Sequence, residues 1–375
     1  MTTRRIGLVL AAALVLPLSA QAQFSRIRSG VLFESYKFDD GLIYNKVTEM
    51  TIPIGIDVAL GRFATVTLST GYATVDLKSA DPSQLTNQSL SGLLDTQVRF
   101  GVNVVPGRLI ALVTGTAPTG IKTVKRNELA ILGALSSDLI GFASPTVGSG
   151  GSVGGGFAGA IPAGRFALGL GATYKLPLQY QPVVNDTDEL KPGAEMRFRA
   201  GLEGPLARQT YLRVAGIFAI RSKDEVAAVA QPGVGNRMIG YLALSQGFGS
   251  AQLTLYGFDV YRAGPSVEST PVGAAILPKG NLIAAGARLA LQLGRTTTIG
   301  PRFEFRYSAA AEDATATKLD RQGNSMRFGV DIRQALSQAF SLVVQGGAVT
   351  GNVVQGGSDV GFNGFRTSLF LELTP

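Results

Sequence analysis

The chain has 375 residues, 45% of them hydrophobic and 16% charged, with 48 glycines and a formal net charge of +8. It contains no Cys and no His, which excludes disulfides, thiolate metal sites and any hydrolase built on a histidine base, so neither an enzyme, a metal nor a cofactor is expected. The basic excess is also too diffuse for a nucleic-acid partner, since no Lys/Arg tract is dense enough to follow a phosphate backbone.

Residues 1–22 carry a basic start (Arg4, Arg5), an apolar run from Ile6 to Leu18 and a small-residue site, Ala20-Gln21-Ala22, which are the three parts of a secretory signal peptide. The run is well short of the ~20 apolar residues a spanning helix needs. The expected mature chain is therefore 23–375, one exported domain. No later apolar run approaches that length, yet the mean hydropathy is +0.23. A hydrophobic exported chain without spanning helices can satisfy its backbone in a membrane only as a closed β-barrel.

Strict alternation supports this fold. In 194–203, Met196, Phe198, Ala200 and Leu202 alternate with Glu195, Arg197, Arg199 and Gly201. In 94–104, Val98, Phe100 and Val102 alternate with Asp95, Gln97, Arg99 and Gly101. Phe303, Phe305 and Tyr307 oppose Arg302, Glu304 and Arg306, and Met326, Phe328, Val330 and Ile332 oppose Arg327, Gly329, Asp331 and Arg333. An Arg at the lipid midplane costs about 2–4 kcal/mol, so the charged faces must be the wet ones.

The connections alternate in length. Gly61-Arg62, Gly107-Arg108, Gly164-Arg165 and Gly294-Arg295 read as tight turns, with Glu203-Gly204-Pro205-Leu206 and Gly247-Phe248-Gly249-Ser250 in equivalent places. Between them lie polar or Gly/Pro-rich connections at 39–45, 76–88, 117–148, 181–191, 222–236, 264–280, 309–323 and 351–359. This rhythm predicts an all-β, antiparallel up-and-down transmembrane barrel of about sixteen strands, from 29–38 to 360–373. Fourteen or eighteen would also satisfy it, because glycine-rich 150–160 and the 333–340 turn are weakly patterned. Phe63, Phe166, Phe248 and Phe340 beside the short turns, and Tyr36, Tyr72, Tyr174, Phe258 and Tyr307 toward the long loops, read as two interfacial girdles.

With signal peptide, strand rhythm and the amphipathic last strand 364–374 (Phe365, Leu369 and Leu371 on one face), the chain resembles bacterial outer-membrane porin-like barrels. Pro118-Thr119-Gly120 and Tyr174-Lys175-Leu176-Pro177 give a weaker likeness to fatty acid and aromatic hydrocarbon uptake barrels. The porin resemblance implies the outer membrane of a Gram-negative-type envelope. It also implies outer-membrane lipid, small solutes and the barrel assembly machinery as partners, a homotrimer or monomer, and a third outer loop that narrows the lumen. In many such barrels the last strand ends on an aromatic residue, whereas this one ends Leu373-Thr374-Pro375, with Phe370 its last aromatic.

The expected lumen residues are Arg99, Glu195, Arg197, Arg199, Arg213, Arg288, Arg302, Glu304, Arg306, Arg327, Asp331 and Arg366, joined by Glu49 and Asp95. They either select solutes by charge or pair across strands to brace the wall. The long loop 117–148 is the expected constriction, carrying Lys122, Lys125, Arg126, Glu128, Leu129, Leu132, Leu135 and Asp138. Asn127 is the expected cap of a short helix over 128–135, whose leucines need burial in the barrel mouth or on neighbouring loops. The functional expectation is a passive channel for small solutes with mild anion preference. A hydrophobic-substrate uptake barrel and a non-conducting structural or adhesin barrel are the alternatives.

Overall fold

The computed structural model describes residues 22–231, 235–264, 279–311 and 318–374. Residues 1–21 of the expected signal peptide, 232–234 of the fifth outer connection, 265–278 of the sixth and 312–317 of the seventh lie outside the described residues.

Sixteen strands form one antiparallel ring. They are β1 Ala22–Phe38, β2 Tyr44–Leu60, β3 Ala64–Ser79, β4 in two segments Gln88–Leu93 and Thr96–Val105, β5 Leu109–Ala117, β6 Ser152–Ala163, β7 Phe166–Pro177 and β8 Glu195–Ala207. They continue as β9 Thr210–Arg221, β10 Arg237–Phe248, β11 Ala251–Arg262, β12 Gly280–Leu293, β13 Thr297–Ala310, β14 Asp320–Ala335, β15 Phe340–Gln355 and β16 Ser358–Leu373. Each strand pairs with its sequence neighbours, and β16 returns to β1 in the register Leu373↔Ile27 to Phe362↔Phe38. Closure leaves no free sheet edge, as a bilayer demands of a non-helical protein. No described helix is long and apolar enough to cross a membrane.

The alternation sorts as the physics requires. Val98, Phe100, Val113, Leu170, Phe198, Leu242, Leu255 and Phe328 are exposed on the outer face. Their strand neighbours Arg99, Arg197, Arg199 and Arg327 point inward. This is a transmembrane β-barrel of the outer-membrane type, apolar outside and charged inside.

The short turns at Gly61, Gly107, Gly164, Gly249 and Gly294 have φ of 60, 71, 64, 64 and 66°, the left-handed region that favours glycine. Two connections differ from expectation. Gly204 lies within β8 opposite Leu212, and the ladder breaks one step later, between Pro205 and Ala207. Pro205 has no N–H to give the ladder, so it makes a bulge rather than the turn, which falls at 208–209. The last outer connection, expected as a loop over 351–359, is a two-residue hairpin: β15 runs to Gln355 and β16 starts at Ser358, with Gly356 and Gly357 at φ 58 and 81°. Two successive glycines with positive φ match the turn twist that suits paired strands.

The aromatic girdles are partly redrawn. Phe63, Phe248 and Phe340 are exposed beside the short turns, and Tyr72, Tyr174 and Tyr307 toward the outer end. Tyr36 is instead fully buried on the inner face, its ring 5.0 Å from Phe142 of the third outer loop. Phe258 also faces inward, beneath the Arg306 guanidinium at 5.8 Å. Alternation alone does not say which face is wet where the interior itself is apolar.

Candidate channel and its third outer loop

The third outer loop, 118–151, folds into the barrel mouth. A 3-10 turn, Arg126–Glu128, leads into α1, Leu129–Leu135. Asn127 does not cap it: its side chain donates to Gln88 Oε1 on β4 at 2.9 Å. The Glu128 carboxylate closes the turn instead, accepting the Lys125 N–H at 2.8 Å. Seven residues cannot hold a helix in water. This one is held because Ile131, Ala134 and Leu135 are buried against inward Tyr36, Val47, Val75, Leu77 and Leu90. Each fully buried large side chain contributes about 1.5–3 kcal/mol.

Beyond α1 the chain follows the inner wall from β11 round to β4 and is clamped at its backbone. From β13, β14 and β16, Arg306 donates to Asp138 O at 2.9 Å, Arg327 to Leu139 O at 3.2 Å and also to Ile140 O, and Arg366 to Gly141 O at 2.7 Å. Arg262 pairs with the Asp138 carboxylate at 3.2 Å. From the adjoining β1 and β2, Glu34 accepts the Ala143 N–H at 2.7 Å and Glu49 the Ser144 N–H at 3.1 Å. Asp95 accepts the N–H groups of Gly120 at 3.0 Å and Ser149 at 2.7 Å. Arginines thus hold carbonyls and carboxylates hold amides, the stronger charge-assisted kind of bond. Asp95 reaches its position through a bulge: β4 gains one residue over β3 between Leu93↔Tyr72 and Gln97↔Ser69.

The expected constriction residues separate into two groups. Lys122, Lys125 and Arg126 are exposed on the loop's outer side, where Arg126 pairs with Asp186 of the fourth loop at 3.3 Å. Leu129 is exposed, Leu132 half-buried and Leu135 fully buried. The part held on the inner wall by charged side chains is 138–144, of which only Asp138 was anticipated. Glu34, Arg262 and Phe142 were not singled out from sequence, and Tyr36 was read as a girdle aromatic. Glu34 shares its face with Leu32, Tyr36 and Phe38, an apolar set that gives no sign of the lumen.

Of the expected lumen charges, most are paired. Arg366 is held by Glu34, Arg306 by Glu304 at 2.7 Å, Arg213 by Glu203 at 2.8 Å, and Arg288 and Arg302 by Asp331 at 3.3 and 3.6 Å. Arg327 lies 3.9 Å from Glu304. The opposite wall, β4 to β8, is different. Arg99, Thr114, Gly154, Lys175 and Glu195 form one row of direct cross-strand neighbours, with Arg197 and Arg199 further along β8. Glu195 pairs with Arg197, whereas Arg99, Lys175 and Arg199 form no ion pair among the described residues. Leu112, Thr114, Gly155 and Thr173 line, with these cations, a recess of about 210 Å³. It meets an outer chamber of about 360 Å³ at Lys175, Glu195 and Arg197.

That outer chamber is walled by the third, fourth and fifth loops, which are knit together. Leu190–Lys191, Glu225–Val226 and Val229–Ala230 form a small sheet, and Val124 bridges Val183. The Tyr180 ring covers Gly150, whose Cβ would fall 2.1 Å from it. Burial, aided by the Asp224 and Asp95 carboxylates, pushes the Tyr180 hydroxyl pKa upward.

The site and the ring define an outer-membrane barrel with a loop-narrowed interior. Comparison with solved structures returns bacterial outer-membrane proteins at low identity. A loop-deleted OmpT, an outer membrane protein of Vibrio cholerae, is 8% identical over 93% of this chain and 99% of its own, with a TM-score of 0.45. OccK9 (OpdG) of Pseudomonas aeruginosa is 12% identical over 94% and 99%, with a TM-score of 0.47. A bacterial polysaccharide outer membrane secretin is 8% identical over 93% and 98%, also at 0.47. No protein-family model and no curated protein matches the chain.

Proposed function

We propose that the protein is a passive channel for small water-soluble solutes, with a preference for anions. The observation that carries this reading is the asymmetry of the interior. The third loop is fastened to strands from β11 round to β4, while the wall from β4 to β8 keeps a recess lined by Arg99, Lys175, Arg197 and Arg199 with one carboxylate, Glu195. Cations fixed beside low-dielectric walls raise the local concentration of anions and lower their entry barrier.

The apolar loop residues favour water-soluble over hydrophobic cargo. Ile131, Leu135, Ile140, Phe142 and Val147 are spent on packing against the wall and are buried, so they present no greasy track to a solute. The test is liposome swelling with anionic and cationic solutes of equal size. Anions enter faster in the native protein, and Arg99→Glu/Arg199→Glu reverses the order. Equal rates for both solutes, unchanged by the substitutions, would remove the basis for anion preference.

A further inference from the structure

On the outer face of the barrel, lysines meet where strand pairing places like charges side by side. Lys37 on β1 lies directly opposite Lys46 on β2, and Lys46 directly opposite Lys78 on β3. The row continues through Asn363, opposite Lys37, to Thr350, opposite Asn363. Lys37 shares its face with exposed Val31, Lys46 with exposed Met50 and Ile54, and Lys78 with exposed Tyr72. All three therefore point away from the lumen, next to the loop ends of their strands. Around the ring, the outward row Tyr174, Met196 and Ile220 near the same rim is apolar. The basic row is local to β1–β3.

Like charges directly opposite one another destabilise a sheet, so this arrangement opposes folding unless something anionic covers it. Two carboxylates are near. Asp76 sits one rank below, opposite Thr48, and Asp39 follows Lys37 at the loop, its N–H bonded to Gly361 O at 2.9 Å. Neither forms an ion pair with the three lysines among the described residues, whereas Arg321 on β14 is matched by Asp359. Below the row, Phe33, Met50, Ile52 and Ile54 offer an apolar surface to acyl chains.

We propose that Lys37, Lys46 and Lys78 form a docking site for the phosphate-bearing headgroup of an outer-leaflet lipid, with Asn363 and Thr350 meeting its polar flank. The test measures binding of diphosphoryl lipid A to the full barrel in detergent by native mass spectrometry. The triple variant Lys37→Gln/Lys46→Gln/Lys78→Gln is expected to lose about a hundredfold in affinity, from the gain each basic residue has at an anionic lipid surface. Dephosphorylated lipid A should bind the native protein as weakly as diphosphoryl lipid A binds the variant. Lys223→Gln, in an exposed loop, serves as control and should leave binding unchanged. Heat-modifiable gel mobility reports whether each variant barrel is folded. Equal affinity in the native protein and the triple variant, or equal affinity for the dephosphorylated lipid, would overturn the proposal. Displacement by millimolar inorganic phosphate would also overturn it, since the site would then be one for free anions.

Discussion

Replacing Arg366 by Met isolates the clamp that holds the third loop. Glu34 is fully buried, and Arg366 donates to its Oε2 from Nε at 2.8 Å and from Nη2 at 2.5 Å, while also reaching Gly141 O at 2.7 Å. Without the guanidinium, Glu34 keeps the Tyr36 hydroxyl at 2.9 Å and the Ala143 N–H at 2.7 Å but has lost its counter-charge. Breaking a buried pair in this way costs about 3–5 kcal/mol. In Glu34→Gln/Arg366→Met no charge is stranded, and the loss falls to about 1–3 kcal/mol, the scale of hydrogen bonds to charged groups. Urea unfolding in micelles, followed by gel mobility, gives the double-mutant cycle, with hydrogen exchange over 138–144 reporting on the loop. The expected coupling is about 2 kcal/mol. Costs that add within about 0.5 kcal/mol would refute the claim that Arg366 neutralises Glu34.

Three further outcomes follow from the geometry. Leu135→Ala should cost about 2–5 kcal/mol of local packing and speed tryptic cleavage at Lys122, Lys125 and Arg126; cleavage at the native rate would mean that α1 is not held by its apolar face. Leu242→Arg on the exposed outer face should destabilise the barrel by about 2–4 kcal/mol, whereas Ala243→Arg, its inward neighbour, should cost much less in the same unfolding assay; equal costs would show that the faces are misassigned. Gly357→Val, at φ 81°, should slow refolding and lower stability by roughly 1 kcal/mol or more, since a β-branched residue resists that conformation; an unchanged urea midpoint would argue against the two-residue hairpin.

The ring was legible because its physics is local. Arg197 and Arg199 between Met196, Phe198 and Ala200 declare a wet face and a greasy face within a few residues, and a glycine at five of the short turns declares where the chain reverses. The reading failed where a distant contact decides. Glu34 and Tyr36 look lipid-facing beside Leu32 and Phe38, but the third loop makes the inner face apolar there. Pro205 and Gly204 look like a turn because a bulge carries the same residues. The loop's helix could be found from its leucines and its need for burial. Its path along the inner wall could not, because Arg306, Arg327 and Arg366 hold backbone carbonyls, which leave no mark in the side-chain pattern of 138–141. The separation of the interior into a braced wall and an unpaired basic wall likewise depends on which acids lie opposite which arginines, and register settles that.

The central claim is an open interior with a net attraction for anions along β4–β8. Its most direct test is the reversal potential of single channels in a planar bilayer under a potassium chloride gradient. The account predicts discrete conductance steps with a reversal potential displaced toward that of chloride. A displacement toward potassium would contradict the assignment of Arg99, Lys175, Arg197 and Arg199 to the permeation path, and silence from a correctly folded barrel would contradict the channel itself.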